Sequence, residues 1–247
     1  MDLETFFREN RKAALAFSGG VDSSYLMYAG NRYGADLGVY YVKSVFQPQF
    51  EMDDALRLAS ELGIKVNVIK ADVLKDETVR ANPKDRCYYC KKMIFNAIAK
   101  AANEDGYTLL LDGTNASDAE DDRPGMKALR ELKVRSPLRE CGLVKSEIRR
   151  LSKEAGLFTW DKPAYACLAT RIRTGEEITE EKLGAVEASE DFLFSLGFTD
   201  FRVRRTGNTA KIQIKEDQFD RLIAVKDKIR TEFMKYYDAV TLDLEGR

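Results

Sequence analysis

Cysteine is the strongest nucleophile this chain carries, and it occurs four times, as Cys87, Cys90, Cys141 and Cys167. Histidine is absent, which excludes a Ser-His-Asp triad, a Cys-His dyad and any His-ligated metal built from this chain alone. Cys167 stands in Ala166-Cys167-Leu168-Ala169-Thr170, with Arg171 and Arg173 close behind. Nearby guanidinium groups favour the thiolate, the form that attacks; the plainer alternative is a small packed thiol. Cys87-Tyr88-Tyr89-Cys90 has the C-x-x-C spacing of a metal or redox pair. Cys141 precedes an amphipathic helix and reads as a packing residue.

A second feature suits phosphate. Ser18-Gly19-Gly20-Val21-Asp22-Ser23-Ser24 follows the apolar run AALAF and opens a helix. A helix N-terminus offers unpaired N–H groups and a partial positive charge. Gly19 and Gly20 let the backbone approach an anion closely, the three serines add hydroxyls, and Asp22 can help hold Mg²⁺. The Gly-Lys-Ser/Thr ending of a Walker A loop is missing; the alternative is a strand-to-helix turn with a serine cap. Further along, Arg202 and Arg204 alternate with Val203 and so share one strand face. Two guanidinium groups side by side suit a phosphate or carboxylate, a solvated strand face being the alternative.

These residues need elements to hold them. Strands are expected over Ala13 to Phe17, Leu37 to Val42, Val66 to Ile69 and Thr108 to Leu111. Helices are expected over Ser23 to Tyr33, Met52 to Leu62, Arg86 to Asn103 and Lys145 to Ala155. Their alternation implies right-handed crossovers and a parallel sheet with helices on both faces. Ligands of such sheets sit beyond the carboxyl ends of the strands. That places Ser18 onward, and the loop Asp112 to Gly125 with Asn115 and Asp118, at the ligand edge. From Gly175 the pattern changes to a small α+β unit: helix Thr179 to Leu196, hairpin strands Phe201 to Arg205 and Ala210 to Ile214, one helix Gln218 to Met234, and a strand Ala239 to Leu244. The expected domains are 1–174 and 175–247.

SGGVDS after the AALAF strand resembles the signature of the PP-loop ATP-pyrophosphatases, which cleave ATP between the α and β phosphates. NPKDRCYYCKKMIF (82–95), LDGTNASDAEDDRPG (111–125), SPLRECGLVKSEIRRL (136–151) and PAYACLATRIRTGEEIT (163–179) resemble one branch, the LarE-type sulfur transferases of nickel-pincer cofactor synthesis. The resemblance implies an α/β fold, a parallel-sheet PP-loop (adenine nucleotide alpha hydrolase-like) domain with a small C-terminal α+β domain for substrate binding or oligomerisation. It implies an enzyme that uses ATP and Mg²⁺ to adenylate the carboxylates of pyridinium-3,5-biscarboxylic acid mononucleotide, releases pyrophosphate and inserts sulfur. Cys167 then takes the sulfur donor's position, and Asn115 and Asp118 take the second ATP-contacting loop together with the Arg123-Pro124-Gly125 turn. Arg202 and Arg204 would bind the substrate's phosphate, with Arg171, Glu190 and Asp220 as further substrate or metal contacts. Because a C-x-x-C pair accompanies the later cysteine, Cys87, Cys90 and Cys167 could hold a [4Fe–4S] cluster carrying the sulfide to be transferred. A zinc site recruiting Cys141 and Cys167 acting alone stay open beside it.

Charge narrows the partners. Forty Lys and Arg against 41 Asp and Glu give −1, so no global basic field advertises a nucleic acid. No run of about 18 or more apolar residues is present. The expectation is a cytoplasmic homo-oligomer acting on a small nucleotide. Two other readings stay open: another PP-loop enzyme, such as a tRNA thiolase or an NAD or GMP synthetase-like amidotransferase, and a non-catalytic nucleotide or metal sensor.

Overall fold

The computed structural model describes residues 1–118 and 124–247, so Arg123 lies outside the described residues. In chain order the elements are α1 (Leu3–Glu9), β1 (Lys12–Ala16), α2 (Val21–Arg32), β2 (Asp36–Lys43), α3 (Gln49–Glu61), β3 (Val66–Lys70), α4 (Glu77–Arg80), α5 (Arg86–Glu104) and β4 (Leu110–Leu111). They continue as α6 (Pro124–Glu131), α7 (Pro137–Glu140), α8 (Lys145–Glu154), α9 (Glu180–Ser195), β5 (Arg202–Thr206), β6 (Thr209–Gln213), α10 (Phe219–Ala224), α11 (Lys226–Phe233) and β7 (Ala239–Leu242). Contacts gather them into two units, residues 1–73 with 85–165 and residues 74–84 with 166–247.

The first unit is built on a parallel sheet of order β3-β2-β1-β4. Its side chains alternate between two cores, as a strand period of two requires. Ala13 and Leu15 of β1 and Val39 and Tyr41 of β2 join Phe6, Leu26, Leu58 and Ile148 from α1, α2, α3 and α8. Ala14, Tyr40 and Val42 turn the other way, onto Ile98 and Ala102 of α5. Helices therefore cover both faces, and β1, central and buried, delivers the Ser18 loop at its carboxyl end.

The second unit has a three-stranded sheet, β5-β6-β7. β5 and β6 form the expected antiparallel hairpin, and β7 joins β6 in parallel. Leu193 of α9 and Ile229 and Phe233 of α11 pack with Phe198, Phe201, Val203 and Ile212. The side chain of Thr179 caps α9 by accepting the Lys182 N–H at 3.2 Å.

Some expectations shift. The contacts divide the chain at Tyr165 rather than Thr174, and they group 74–84 with the later residues. The reason is local: Asn82 donates its amide to the Arg173 carbonyl at 2.9 Å, Gly175 N–H bonds back to Asn82, and Arg80 pairs with Glu177 at 3.1 Å. The helix expected over Gln218 to Met234 breaks at Val225, whose φ of −113° and ψ of 13° leave the helical region. The fourth strand shortens to Leu110–Leu111, and its ladder is extended by Arg135, which bridges Leu111. The Asp112 to Gly125 loop ends where α6 starts at Pro124, a residue suited to a first helical turn.

Leu15 is fully buried in the central strand. Leu15→Ala is expected to lower the unfolding free energy by about 2–5 kcal/mol, measured by urea denaturation at an unchanged m-value.

Candidate functional site

Phe17 continues β1 by donating its N–H to the Tyr40 carbonyl at 2.9 Å, and the chain then turns into α2 through Ser18, Gly19 and Gly20. Gly19 has φ of +76°, and a Cβ there would come 2.8 Å from the Ala55 Cβ. Backbone conformation and space both require glycine. Ser23 closes the turn: its hydroxyl accepts the Ser18 N–H at 3.2 Å, lies 3.1 Å from the Ser18 hydroxyl, and donates to the Gly20 carbonyl at 3.2 Å. A second loop comes up against this one after β4. A Cβ on Gly113 would sit 2.8 Å from the Ser23 backbone nitrogen, so glycine is what lets the two loops touch.

Between them opens a cavity of about 360 Å³, within the range of small-molecule sites. Ser18, Gly20, Asp22 and Ser23 line it, with Tyr40 to Val42 at the end of β2, Lys91 and Ile94 on α5, and Asp112, Thr114 and Asp118. Gly19, Ser24 and Asn115 are not among its lining residues. Ser24 is fully buried, and its hydroxyl has no hydrogen-bond partner. Asn115 shapes its loop: its side-chain oxygen accepts the Ser117 N–H at 2.8 Å, and its own N–H donates to the Asp118 carboxylate at 3.0 Å. Arg139 fastens the same loop by donating to the Asp118 carbonyl at 2.7 Å.

Asp22 is the most informative group here. One carboxylate oxygen pairs with the Lys145 ammonium at 2.6 Å, while the other is buried with no partner. An orphaned carboxylate oxygen on the cavity wall is a hard ligand suited to Mg²⁺. Burial raises the Asp22 carboxyl above its ordinary value; Asp118 adds to the rise and Lys145 opposes it. Burial likewise raises the Tyr41 phenol, whose hydroxyl has no partner.

In the second unit, Cys167 is half-buried immediately before a 3₁₀ turn, Leu168–Arg171. Arg171 is fully buried, and its fork meets Glu190: Nε to Oε1 at 2.9 Å and Nη2 to Oε2 at 3.2 Å. A link to Cys167 runs through backbone, because Nη1 donates to the Ala166 carbonyl at 2.7 Å. Arg173 is exposed. Arg202 and Arg204 share a face by register, opposite Gln213 and Lys211, but Arg202 is buried and Arg204 exposed. Arg204 donates to the Gln213 side chain and to the Thr170 carbonyl at 2.9 Å. Partial burial and then Arg171 and Arg247 lower its pKa, so the neighbourhood is rich in positive charge and suited to an anion. Asp220 is exposed on α10.

The cysteine pair belongs to the first unit. Cys87 is exposed and Cys90 half-buried in the first two turns of α5, three residues apart and so on one face. Cys141 packs against the main core, and burial raises its thiol pKa.

No family model matches the chain. Similarity to individual proteins nevertheless runs along its whole length. An uncharacterized protein of Synechocystis is 36% identical over 250 residues, 99% of this chain and 93% of that protein. The pyridinium-3,5-bisthiocarboxylic acid mononucleotide synthase of Lactiplantibacillus plantarum is 33% identical over 242 residues, 97% of this chain and 88% of the synthase. The chain belongs to the LarE-type family. It is an enzyme of the ATP-using PP-loop fold. That fold extends to a glutamine-hydrolyzing GMP synthase of Methanococcus maripaludis, one polypeptide of which is 28% identical over 201 residues, covering 76% of this chain and 64% of that polypeptide.

Within this LarE-type chain, sequence reasoning missed Gly113, Lys91 and Lys145. Gly113 carried a signal, a glycine two residues beyond a strand at the ligand edge. Lys145 carried none: only the packing of α8 brings its ammonium to Asp22.

For Asp22 the sign follows from linkage. The folded carboxyl titrates above the ordinary value of 3.8, so between those two values the folded state holds the extra proton. Stability therefore falls as pH rises through that window and remains lower at neutral pH. Asp22→Asn is expected to raise the thermal midpoint at neutral pH, despite losing the Lys145 pair, and to flatten that loss. It should also cut ATP–pyrophosphate exchange by about 100-fold. Thermal scans from about pH 4 to about pH 8, alongside exchange assays, check both.

Proposed function

We propose that this enzyme inserts sulfur into the carboxylates of pyridinium-3,5-biscarboxylic acid mononucleotide, within nickel-pincer nucleotide synthesis. The observation that carries the reading is the full-length similarity to a synthase of the corresponding bisthiocarboxylic acid. An intact Ser18 to Ser24 loop on a cavity of nucleotide-site size supports the ATP half of the reaction.

The ATP phosphates lie over the N-terminus of α2, where N–H groups and the helix dipole favour negative charge. Mg²⁺, held by the free oxygen of Asp22, would neutralise charge on the departing pyrophosphate. A substrate carboxylate oxygen attacks the α-phosphorus, the bond to the β-phosphate oxygen breaks, and pyrophosphate leaves. This turns a poor leaving group into a good one. The Cys167 thiolate then attacks the acyl carbon and AMP departs, leaving a thioester. Loss of the Cys167 Cα proton to a base, with cleavage of the Cβ–Sγ bond, releases the thiocarboxylate and leaves dehydroalanine. Arg202 and Arg204 hold the substrate's phosphate in this reading, with Glu190 and Asp220 nearby. We also propose that the enzyme is a cytoplasmic homo-oligomer. Among the described residues no helix is long and apolar enough to cross a membrane.

A [4Fe–4S] cluster on Cys87, Cys90 and Cys167 is the second form of the sulfur source; one open iron would supply an extra sulfide and spare the cysteine. The C-x-x-C pair on one face of α5 favours it. The steps above are those of Cys167 acting alone.

The test is intact mass and sulfur transfer of protein prepared without oxygen, with and without added iron and sulfide. Loss of one H₂S from Cys167 per transfer supports the sacrificial route. Repeated turnover that requires iron and disappears in Cys87→Ala supports the cluster. In both cases Cys167→Ala should lower transfer by about 1,000-fold or more, while Cys141→Ala stays within about twofold. Transfer that persists in Cys167→Ala would sink the proposal.

A further inference from the structure

Cys167 has to present its sulfur in one direction, yet it lies outside any long helix or strand. What holds it is an ion pair buried within its own unit. Arg171 and Glu190 are each about 1% exposed. Burying two charges costs several kcal/mol per ion before their mutual attraction is counted, so the geometry of the pair must offset that cost.

The guanidinium fork is used on both sides. Nε and Nη2 meet Glu190. Nη1 reaches the Ala166 carbonyl at 2.7 Å, the Cys167 carbonyl at 3.4 Å and the Thr170 hydroxyl at 2.9 Å. The peptide groups before and after the Cys167 Cα are therefore both engaged by one side chain. The Cys167 carbonyl also accepts the Thr170 N–H at 3.0 Å and the Thr170 hydroxyl at 2.8 Å. With its carbonyl fixed by this set, Cys167 is held at φ −54° and ψ 149°, and these angles aim its Cβ.

Glu190 ties the turn to the sheet. The oxygen that accepts from Arg171 Nε also accepts the Val203 N–H at 2.9 Å. Val203 lies between Arg202 and Arg204, and Arg204 itself donates to the Thr170 carbonyl at 2.9 Å. A single carboxylate thus sets the register between the cysteine turn and the two arginines of β5. Lysine could supply the charge of Arg171 but not the planar fork.

We infer that Arg171, locked by Glu190, is the positioning residue for Cys167, fixing its backbone so that the thiol and the β5 arginines keep one register. This rests on reading Cys167 as the sulfur donor. Arg171 then acts through backbone carbonyls rather than on the substrate.

The experiment uses the full-length chain, with iodoacetamide alkylation of Cys167 followed by peptide mass spectrometry. The Cys87 and Cys90 peptides of the same samples are internal references. In Arg171→Lys, Cys167 should alkylate about fivefold faster as its turn loosens, while Cys87 and Cys90 are unchanged; the single-turnover rate of sulfur transfer should fall about 100-fold, with the ATP concentration for half-maximal rate within about twofold. Thr170→Val, which removes the shared hydroxyl, should slow single-turnover sulfur transfer about tenfold, and Thr170→Ser should recover wild-type behaviour. A folded Arg171→Lys protein with wild-type alkylation and a wild-type single-turnover transfer rate overturns the inference. If Arg171→Lys fails to fold, wild-type behaviour in Thr170→Val overturns it instead. If the wild-type enzyme transfers no sulfur, the functional reading falls, while the alkylation comparison still decides the positioning role.

Discussion

The close approach of backbone to backbone around Ser18 to Ser23 is the constraint on which the first unit depends. An anion can be met by N–H groups only where no side chain intervenes, and two glycines secure this from opposite sides. Gly19 packs against α3, where a Cβ would crowd Ala55, and Gly113 packs against the nitrogen of Ser23. The turn is thus clasped between a helix and a loop that are distant in sequence. The parallel sheet makes the arrangement achievable, because β1 and β4 are neighbours and both end at the same edge.

Charge is placed at that edge against the preference of a buried environment. Asp22 keeps an unpartnered oxygen and a raised carboxyl pKa, and Lys145 offsets only part of the cost. A fold optimised for stability alone would fill this site with apolar side chains. A desolvated carboxylate beside a cavity is the kind of group found at functional sites rather than in a core built for stability.

The second unit handles charge differently. Arg171 and Glu190 are paired in full and removed from water, and their remaining hydrogen-bonding capacity is directed at backbone groups of the Cys167 turn and of β5. Such a pair is weak evidence for stability and better evidence for specificity of geometry. Arg204, by contrast, is exposed and lies near the guanidinium groups of Arg171 and Arg247.

Much of this was legible in the residue order. Apolar runs at strand length and the glycines after them placed the parallel sheet, the phosphate loop and the hairpin, since local patterning decides which segments can be buried strands. The serine-glycine loop and the Cys167 segment were visible as motifs because their chemistry is carried by neighbours in the chain. Other features depended on packing between distant segments. Lys145 meets Asp22 across 123 positions, and no local pattern encodes that encounter. The pairing of Arg171 with Glu190 of α9 was likewise not legible locally, because the two stand 19 positions apart. Residues 74–84 read as part of the first domain, yet hydrogen bonds from Asn82 carry them to the second. Sequence determines an element's period and the chemistry of its side chains; which groups end up sharing a buried charge is decided only when elements far apart in the chain pack together.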